Sequence, residues 1–392
     1  RPLDAILDGT DARQAVIFVC DGMSHTRLRE LVEAGRLPNL AKLIQQGGFF
    51  RSGAVGNFPS NTYPGHNVVG TGAWSAHHGL LDNRWYRRKT RVVHDPYEEK
   101  VGTSDYLAKD CETLFEAVTR TFGAWDGKLG GAYTISISDP CARGATLPLL
   151  ELDFPQGFPS LSGDCQVHFV QDASPATSAG LLANQLAAIA VQSQFLEGGT
   201  KHPIPKLTIV NLPLTDVAGH ALGPHHPKID ELYVATDEAV GGIVGTIQKL
   251  GLLSSTLFVL TSDHGMATQD PNLVDRVGTA LASAGVAEFH ASERFIYLQC
   301  LDVTASPASL PAGRKTRLEV HVRDDDYDAF NKRPPIPDAT VTVRAGGQTW
   351  TAKTDWSGLA VLEVVPPAGT SEVHVSAAAP KFNPAETKLP VR

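Results

Sequence analysis

The sequence predicts an α/β domain followed by a small all-β sandwich. Three observations lead there. Up to about residue 300, short apolar runs alternate with helical patterns. After residue 314 the runs become short and alternating, separated by turn signals and without helical period. Carboxylates and imidazoles gather just past the ends of the apolar runs.

The elements follow in order. Residues 15–20 (AVIFVC) form a continuous apolar run, the pattern of a strand buried on both faces. Helical patterns cover 26–34 and 40–46. A strand is expected at 131–136, a helix at 178–194, a strand at 207–212, a long amphipathic helix at 230–250 and a strand at 256–261. A helix at 273–284 and a strand at 295–300 continue the alternation, so the α/β domain is expected to span 1–301. Segment 83–175 is irregular and rich in Pro, Gly and Asp, and reads as loops over the active crevice. Residues 302–313 are rich in Pro, Ser and Ala and read as a linker. In 314–392, strands are expected at 317–322, 340–344, 348–353, 360–364 and 372–377, with Gly346-Gly347 and Asp355-Trp356-Ser357-Gly358 as turns. An Ig-like sandwich of accessory role fits that spacing.

Composition narrows the function. The net charge is −8 with no basic excess, which argues against a nucleic-acid polymer as partner. No apolar run reaches the roughly 18 residues of a membrane span. The chain opens at Arg1 without a signal-peptide pattern, so a mature periplasmic or secreted form is the preferred expectation and a cytoplasmic one the alternative. Five cysteines without a C-x-x-C pair indicate neither a thiolate zinc site nor a dense disulfide framework. Cys141 and Cys165, in loop-like sequence, are a candidate pair.

The chemistry sits in two acid–histidine couples and a third carboxylate. Asp216 and His220 follow the strand at 207–212 and, four apart, share one helix face. Asp263 and His264 follow 256–261, and Asp21 follows 15–20. Oxygen and imidazole ligands suit a divalent cation such as Zn²⁺, and the ends of parallel strands converge on one crevice. A nucleophile candidate is Thr62 in Phe58-Pro59-Ser60-Asn61-Thr62-Tyr63-Pro64, where a short helix is expected to begin. A helix N-terminus suits a phosphoryl oxygen, and a metal-coordinated hydroxyl becomes a usable nucleophile. An N-cap role for Thr62 is the alternative.

Together these motifs resemble the alkaline phosphatase superfamily, in its nucleotide pyrophosphatase/phosphodiesterase and phosphonoacetate hydrolase branch. The matching order is Val19-Cys20-Asp21-Gly22, the Thr62 segment, Gly70-Thr71-Gly72, His77-His78-Gly79, Asp82-Asn83, Asp216-x-x-Gly219-His220 and Ser262-Asp263-His264-Gly265-Met266, across about residues 13–300. The resemblance implies a layered α/β/α domain and two divalent ions, expected to be Zn²⁺. It implies that Asp21, Thr62, Asp263 and His264 hold one ion, and Asp216 and His220 the other. Asn83, 21 positions after Thr62, would donate to a phosphoryl oxygen. The implied activity is hydrolysis of phosphodiester or pyrophosphate bonds in a small, nucleotide-type substrate through a phospho-threonine. Phosphonate C–P hydrolysis by the same site is an alternative, as is a degenerate, non-catalytic metal- or ligand-binding member. Thr62 disfavours the sulfatase branch, which uses a Cys or Ser converted to formylglycine.

One departure stands out. The family's third ligand to the Asp216/His220 ion, a downstream His usually followed by Gly, has no match, because His290, His321 and His374 alone follow His264. His290, His225 and His226 are the expected substitutes. Without one, the second site is weak or absent. Trp85, Tyr86 and Phe58 are candidates for stacking a flat group, while His66, His77 and His78 read as structural polar groups. The β domain is the expected contact for any protein partner.

Overall fold

The computed structural model describes residues 13–87, 92–96, 103–149, 175–268, 277–286, 288–291, 296–325 and 333–392. In chain order the elements begin β1 (Gln14–Cys20), α1 (His25–Glu33), α2 (Pro38–Gln46), α3 (Thr62–Thr71), α4 (Ser75–His78), β2 (Trp85–Arg87), β3 (Val92–His94) and α5 (Leu114–Phe122). Next come β4 (Thr134–Ile137), β5 (Leu147–Leu149), α6 (Pro175–Glu197), β6 (Leu207–Leu212), α7 (Leu214–Leu222), α8 (Ile229–Lys249) and β7 (Thr256–Thr261). The chain continues with α9 (Val277–Ser283), β8 (Phe289–Ala291), β9 (Ile296–Leu298), β10 (Leu301–Ser306), β11 (Thr316–Asp324) and β12 (Thr340–Ala345). It ends with β13 (Gln348–Lys353), β14 (Leu359–Val364), β15 (Glu372–Ala378) and β16 (Ala385–Pro390). It divides into two compact units, Arg1–Asn83 with Asp95–Pro271, and Arg84–His94 with Asn272–Arg392.

The first unit is built on a five-stranded parallel sheet in the order β5-β4-β6-β1-β7. Side chains of β1 alternate between two cores. Val16, Phe18 and Cys20 join residues of α6 and α8 on one face, while Ile17 and Val19 join Phe115 of α5 on the other. That alternation is why the strand is apolar throughout, and it gives the layered arrangement expected from the sequence. Register then places the chemistry. Cys20 pairs with Leu212 and Val19 with Thr261, so β1, β6 and β7 end level with one another. The residues that follow those ends, Asp21, Asp216 and Asp263, therefore emerge at one edge of the sheet.

The second unit holds two antiparallel sheets, β10-β11-β14 and β13-β12-β15-β16, whose inner residues share one apolar core. Leu318, Val320 and Val322 come from one sheet, and Val341, Val343, Val373 and Val375 from the other. Two short pairs, β2-β3 and β8-β9, also belong to it.

Several expectations are revised. Residues 301–306, expected to lie mostly in a linker, form β10 and pair with β11. Val303 and Ala305 pack against the core at period two, a pattern that the Pro- and Ser-rich composition hides. The expected strand at 295–300 does not extend the parallel sheet. Ile296–Leu298 folds back antiparallel on Phe289–Ala291, a short return that needs no crossover helix. The nominally irregular 83–175 contains α5, opened by a capping box between Thr113 and Glu116. Among the described residues no helix is long and apolar enough to cross a membrane.

Candidate active site

Thr62 is the first residue of α3, with Asn61 in extended conformation as N-cap, so the helix begins one residue earlier than a Thr62 cap would place it. Asn61 is pinned by a hydrogen bond from its Nδ2 to Oδ1 of the buried Asp82. The same oxygen accepts from the Asn83 backbone N–H at 2.8 Å. In turn, Oδ1 of Asn83 accepts from the backbone N–H of Tyr63 at 2.8 Å. The segment bearing Asn83 is thus fastened to the helix start that carries Thr62.

Asp21, Asp263 and His264 each offer a ligand atom, and these atoms all lie within 4.8 Å of one another. Nε2 of His264 is 3.2 Å from Asp263 Oδ2, 3.6 Å from Asp21 Oδ1 and 3.8 Å from Asp216 Oδ1. It also lies 3.3 Å from Thr62 Oγ1. Nδ1 of His264 is 3.0 Å from the Gly265 carbonyl, so a proton held there leaves Nε2 as a bare lone pair facing the cluster. Asp21 Oδ1, Asp216 Oδ1 and Asp263 Oδ2 are buried and have no hydrogen-bond partner. Three unpaired carboxylate oxygens in one buried space repel each other and are costly to desolvate unless a cation sits between them. Burial, and then the neighbouring Asp21, push the Asp263 carboxyl up to about 6. Burial also raises that of Asp216, against the pull of His220 and His264. The donor set therefore fits a divalent cation.

His220 is placed differently. Its Nε2 is 3.5 Å from Asp216 Oδ1, as the i, i+4 spacing on α7 requires, but its side chain is 73% exposed. Among the described residues this pair gains no third donor to form a second cluster. His226 uses Nδ1 to accept the Lys228 N–H in its own turn, and the His290 side chain lies outside the described residues.

Glycines let the loops close. A Cβ on Gly65 of α3 would stand 2.6 Å from the Asp263 carbonyl oxygen, and one on Gly219 of α7 would stand 2.3 Å from the Met266 sulfur. Gly22 has φ +66°, and a Cβ there would lie 2.9 Å from Asp216 Cα. The Asp216-x-x-Gly219-His220 and Ser262-to-Met266 motifs therefore interlock by close contact.

His66, which the sequence reads as a structural polar group, lies against the carboxylates of the cluster. It is fully buried, four residues after Thr62 on α3, with Nδ1 2.8 Å from Asp139 Oδ2. Its Nε2 is 3.6 Å from Asp21 Oδ2 and 3.7 Å from Asp263 Oδ2. Burial opposes charge on this ring, yet Asp139 and the neighbouring carboxylates hold its pKa well above the ordinary imidazole value. The i, i+4 relation to Thr62 was the available signal. His78 differs, since burial lowers its pKa to about 4 and keeps it neutral. Trp85 is a buried packing residue against His94, whereas Phe58 is 74% exposed. Cys141 is a free buried thiol, and Cys165 lies outside the described residues.

The site is thus an α/β sheet with an acid–imidazole cluster at its carboxyl edge and a threonine at a helix N-terminus. The chain belongs to the type I phosphodiesterase / nucleotide pyrophosphatase family, whose model matches residues 15–349. An uncharacterized pyrophosphatase/phosphodiesterase of Schizosaccharomyces pombe is 31% identical over 71 residues, a stretch covering 18% of this chain and 15% of the yeast protein. The fold is similar to that of murine ectonucleotide pyrophosphatase/phosphodiesterase 5. An inactive threonine-to-alanine variant of that protein in complex with AMP matches at TM-score 0.52 and 15% identity, over 84% of this chain and 72% of that one. Another structure of the murine protein matches at TM-score 0.51 and 14% identity, over 91% and 81%.

Proposed function

We propose that this chain is a metal-dependent hydrolase of phosphodiester or pyrophosphate bonds in a nucleotide-type small molecule, working through a phospho-threonine at Thr62. The observation that carries this reading is the position of Thr62 Oγ1, 3.3 Å from His264 Nε2 beside the unpaired oxygens of Asp21 and Asp263. Asp21, Asp263 and His264, with Thr62, would hold one divalent ion, expected to be Zn²⁺; Asp216 and His220 would hold another. Such ions supply Lewis acidity, lowering the pKa of a coordinated hydroxyl and polarising the phosphoryl group.

The protein's own groups do the rest. Thr62 Oγ attacks phosphorus, forming the Oγ–P bond as the bond to the leaving oxygen breaks. Asn83 donates from its amide NH₂ to a non-bridging oxygen, where negative charge grows. Water then cleaves the Oγ–P bond and regenerates Thr62. The C-terminal sheets are read as an Ig-like accessory sandwich.

The test is turnover of bis-p-nitrophenyl phosphate and of phosphonoacetate by protein of known metal content. Metal-dependent cleavage of the diester supports the proposal. Cleavage of phosphonoacetate alone would move the reading to C–P hydrolysis, and no turnover with no bound metal would defeat it.

A further inference from the structure

We propose that His66, backed by Asp139, is a positioning residue that fixes the Asp21 carboxylate so that one oxygen is presented to the cation site. This rests on the metal-hydrolase reading above and adds residues outside its ligand set.

The two imidazoles address different oxygens of Asp21. His66 Nε2 faces Oδ2 at 3.6 Å, and His264 Nε2 faces Oδ1 at 3.6 Å. Oδ1 is the atom left buried without a hydrogen bond. Asp263 shows the same division of labour. Its Oδ1 accepts the Gly22 backbone N–H at 3.2 Å, while Oδ2 faces His264 at 3.2 Å and is unpaired. His66 Nε2 also lies 3.7 Å from Asp263 Oδ2, so this imidazole stands between the two carboxylates and faces Asp21 through the oxygen that His264 does not.

The support behind His66 is rigid. Its Nδ1 meets Asp139 Oδ2 at 2.8 Å, and Asp139 Oδ1 accepts the Cys141 backbone N–H at 2.8 Å. Asp139 is only 1% exposed and His66 fully buried, so neither exchanges these partners for water. At 3.6 Å the His66–Asp21 contact is electrostatic rather than a full hydrogen bond, and in so dry a setting that field is strong. Asp139 follows β4, Asp21 follows β1, and His66 rides on the helix that begins at Thr62. The chain Asp139–His66–Asp21 therefore ties the nucleophile's helix to the ends of two strands. Outer-shell groups of this kind tune metal affinity by about 10–100-fold.

The experiment is Co²⁺ binding to the metal-stripped full chain, measured by chelator competition and by the visible Co²⁺ spectrum. We expect His66→Gln and Asp139→Asn each to weaken Co²⁺ binding by about 10–100-fold and to alter the spectrum, while far-UV circular dichroism stays that of the wild type. Asp139→Asn keeps shape and the acceptor for Cys141, so it decides the matter should His66→Gln fail to fold. Wild-type affinity and spectrum in the folded variants would overturn the positioning role. If the wild type itself takes up no Co²⁺, it is the hydrolase reading that fails.

Discussion

The backbone N–H of Tyr63 donates to Oδ1 of Asn83 across 2.8 Å, and this bond decides which end of the Asn83 amide is left to act. With the oxygen engaged at the helix start, the proposed donation to a phosphoryl oxygen falls to the NH₂ group. Asn83→Asp keeps an acceptor for Tyr63 but removes the donor. It is expected to lower kcat on bis-p-nitrophenyl phosphate by roughly 10²–10³-fold, as Asn83→Ala does. An Asn83→Asp enzyme with the wild-type kcat would exclude donation from this residue.

Gly65 sets how closely the Thr62 helix packs on the Asp263 loop. A methyl group there would meet the Asp263 carbonyl at 2.6 Å and its Cβ at 2.9 Å. Gly65→Ala is expected to destabilise the protein by about 1–3 kcal/mol through overpacking and to separate Thr62 from His264. Thermal denaturation checks the first effect and metal titration the second. Unchanged values in both would show that the loop yields freely.

The buried Asp263 carboxyl sets the expected sign of the metal-free protein's pH dependence. Burial and Asp21 raise the Asp263 carboxyl to about 6 in the folded state, above its ordinary value of 3.8. Below pH 4 this contribution to stability is fully present, and it is lost as the pH rises through about 6. Metal-free protein should therefore melt lower at pH 7 than at pH 5 as far as this site is concerned. Added divalent ion should raise the melting temperature more at pH 7, because protons no longer compete for the ligands. Removing the group with Asp263→Asn should flatten the profile; an unaltered profile in that variant would assign it to other residues.

The two halves of the ligand set should differ in grip. Asp21, Asp263 and His264 are inward and clustered, whereas His220 is largely exposed. After dialysis, elemental analysis is expected to find at least one ion per chain in His220→Ala and much less in His264→Ala. Equal loss from both would mean that the ions are held as one unit.

Much of this site could be read from the sequence because parallel strands turn motif order into proximity. Runs 207–212 and 256–261 are the strands β6 and β7, so Asp216 and Asp263 fall at the sheet edge where expected. His66 was not legible in the same way. Its role depends on Asp139, 73 residues away, and only the pairing of β4 with β6 brings that carboxylate near. Asp82 was likewise visible only as a neighbour of Asn83, although it ties that segment to Asn61. In the second unit, β10 escaped notice because Pro- and Ser-rich composition outweighed a two-residue period. The strand expected at 295–300 is present as β9, but its antiparallel pairing with β8 was not legible, because a short apolar run does not reveal its partner.

The most direct measurement is mass spectrometry of acid-quenched enzyme during turnover of a phosphodiester. A phosphoryl ester on the peptide containing Thr62, absent from a metal-binding Thr62→Ala variant that no longer turns over, is the expected result. Full turnover by Thr62→Ala, or an adduct on another residue, would contradict a threonine nucleophile.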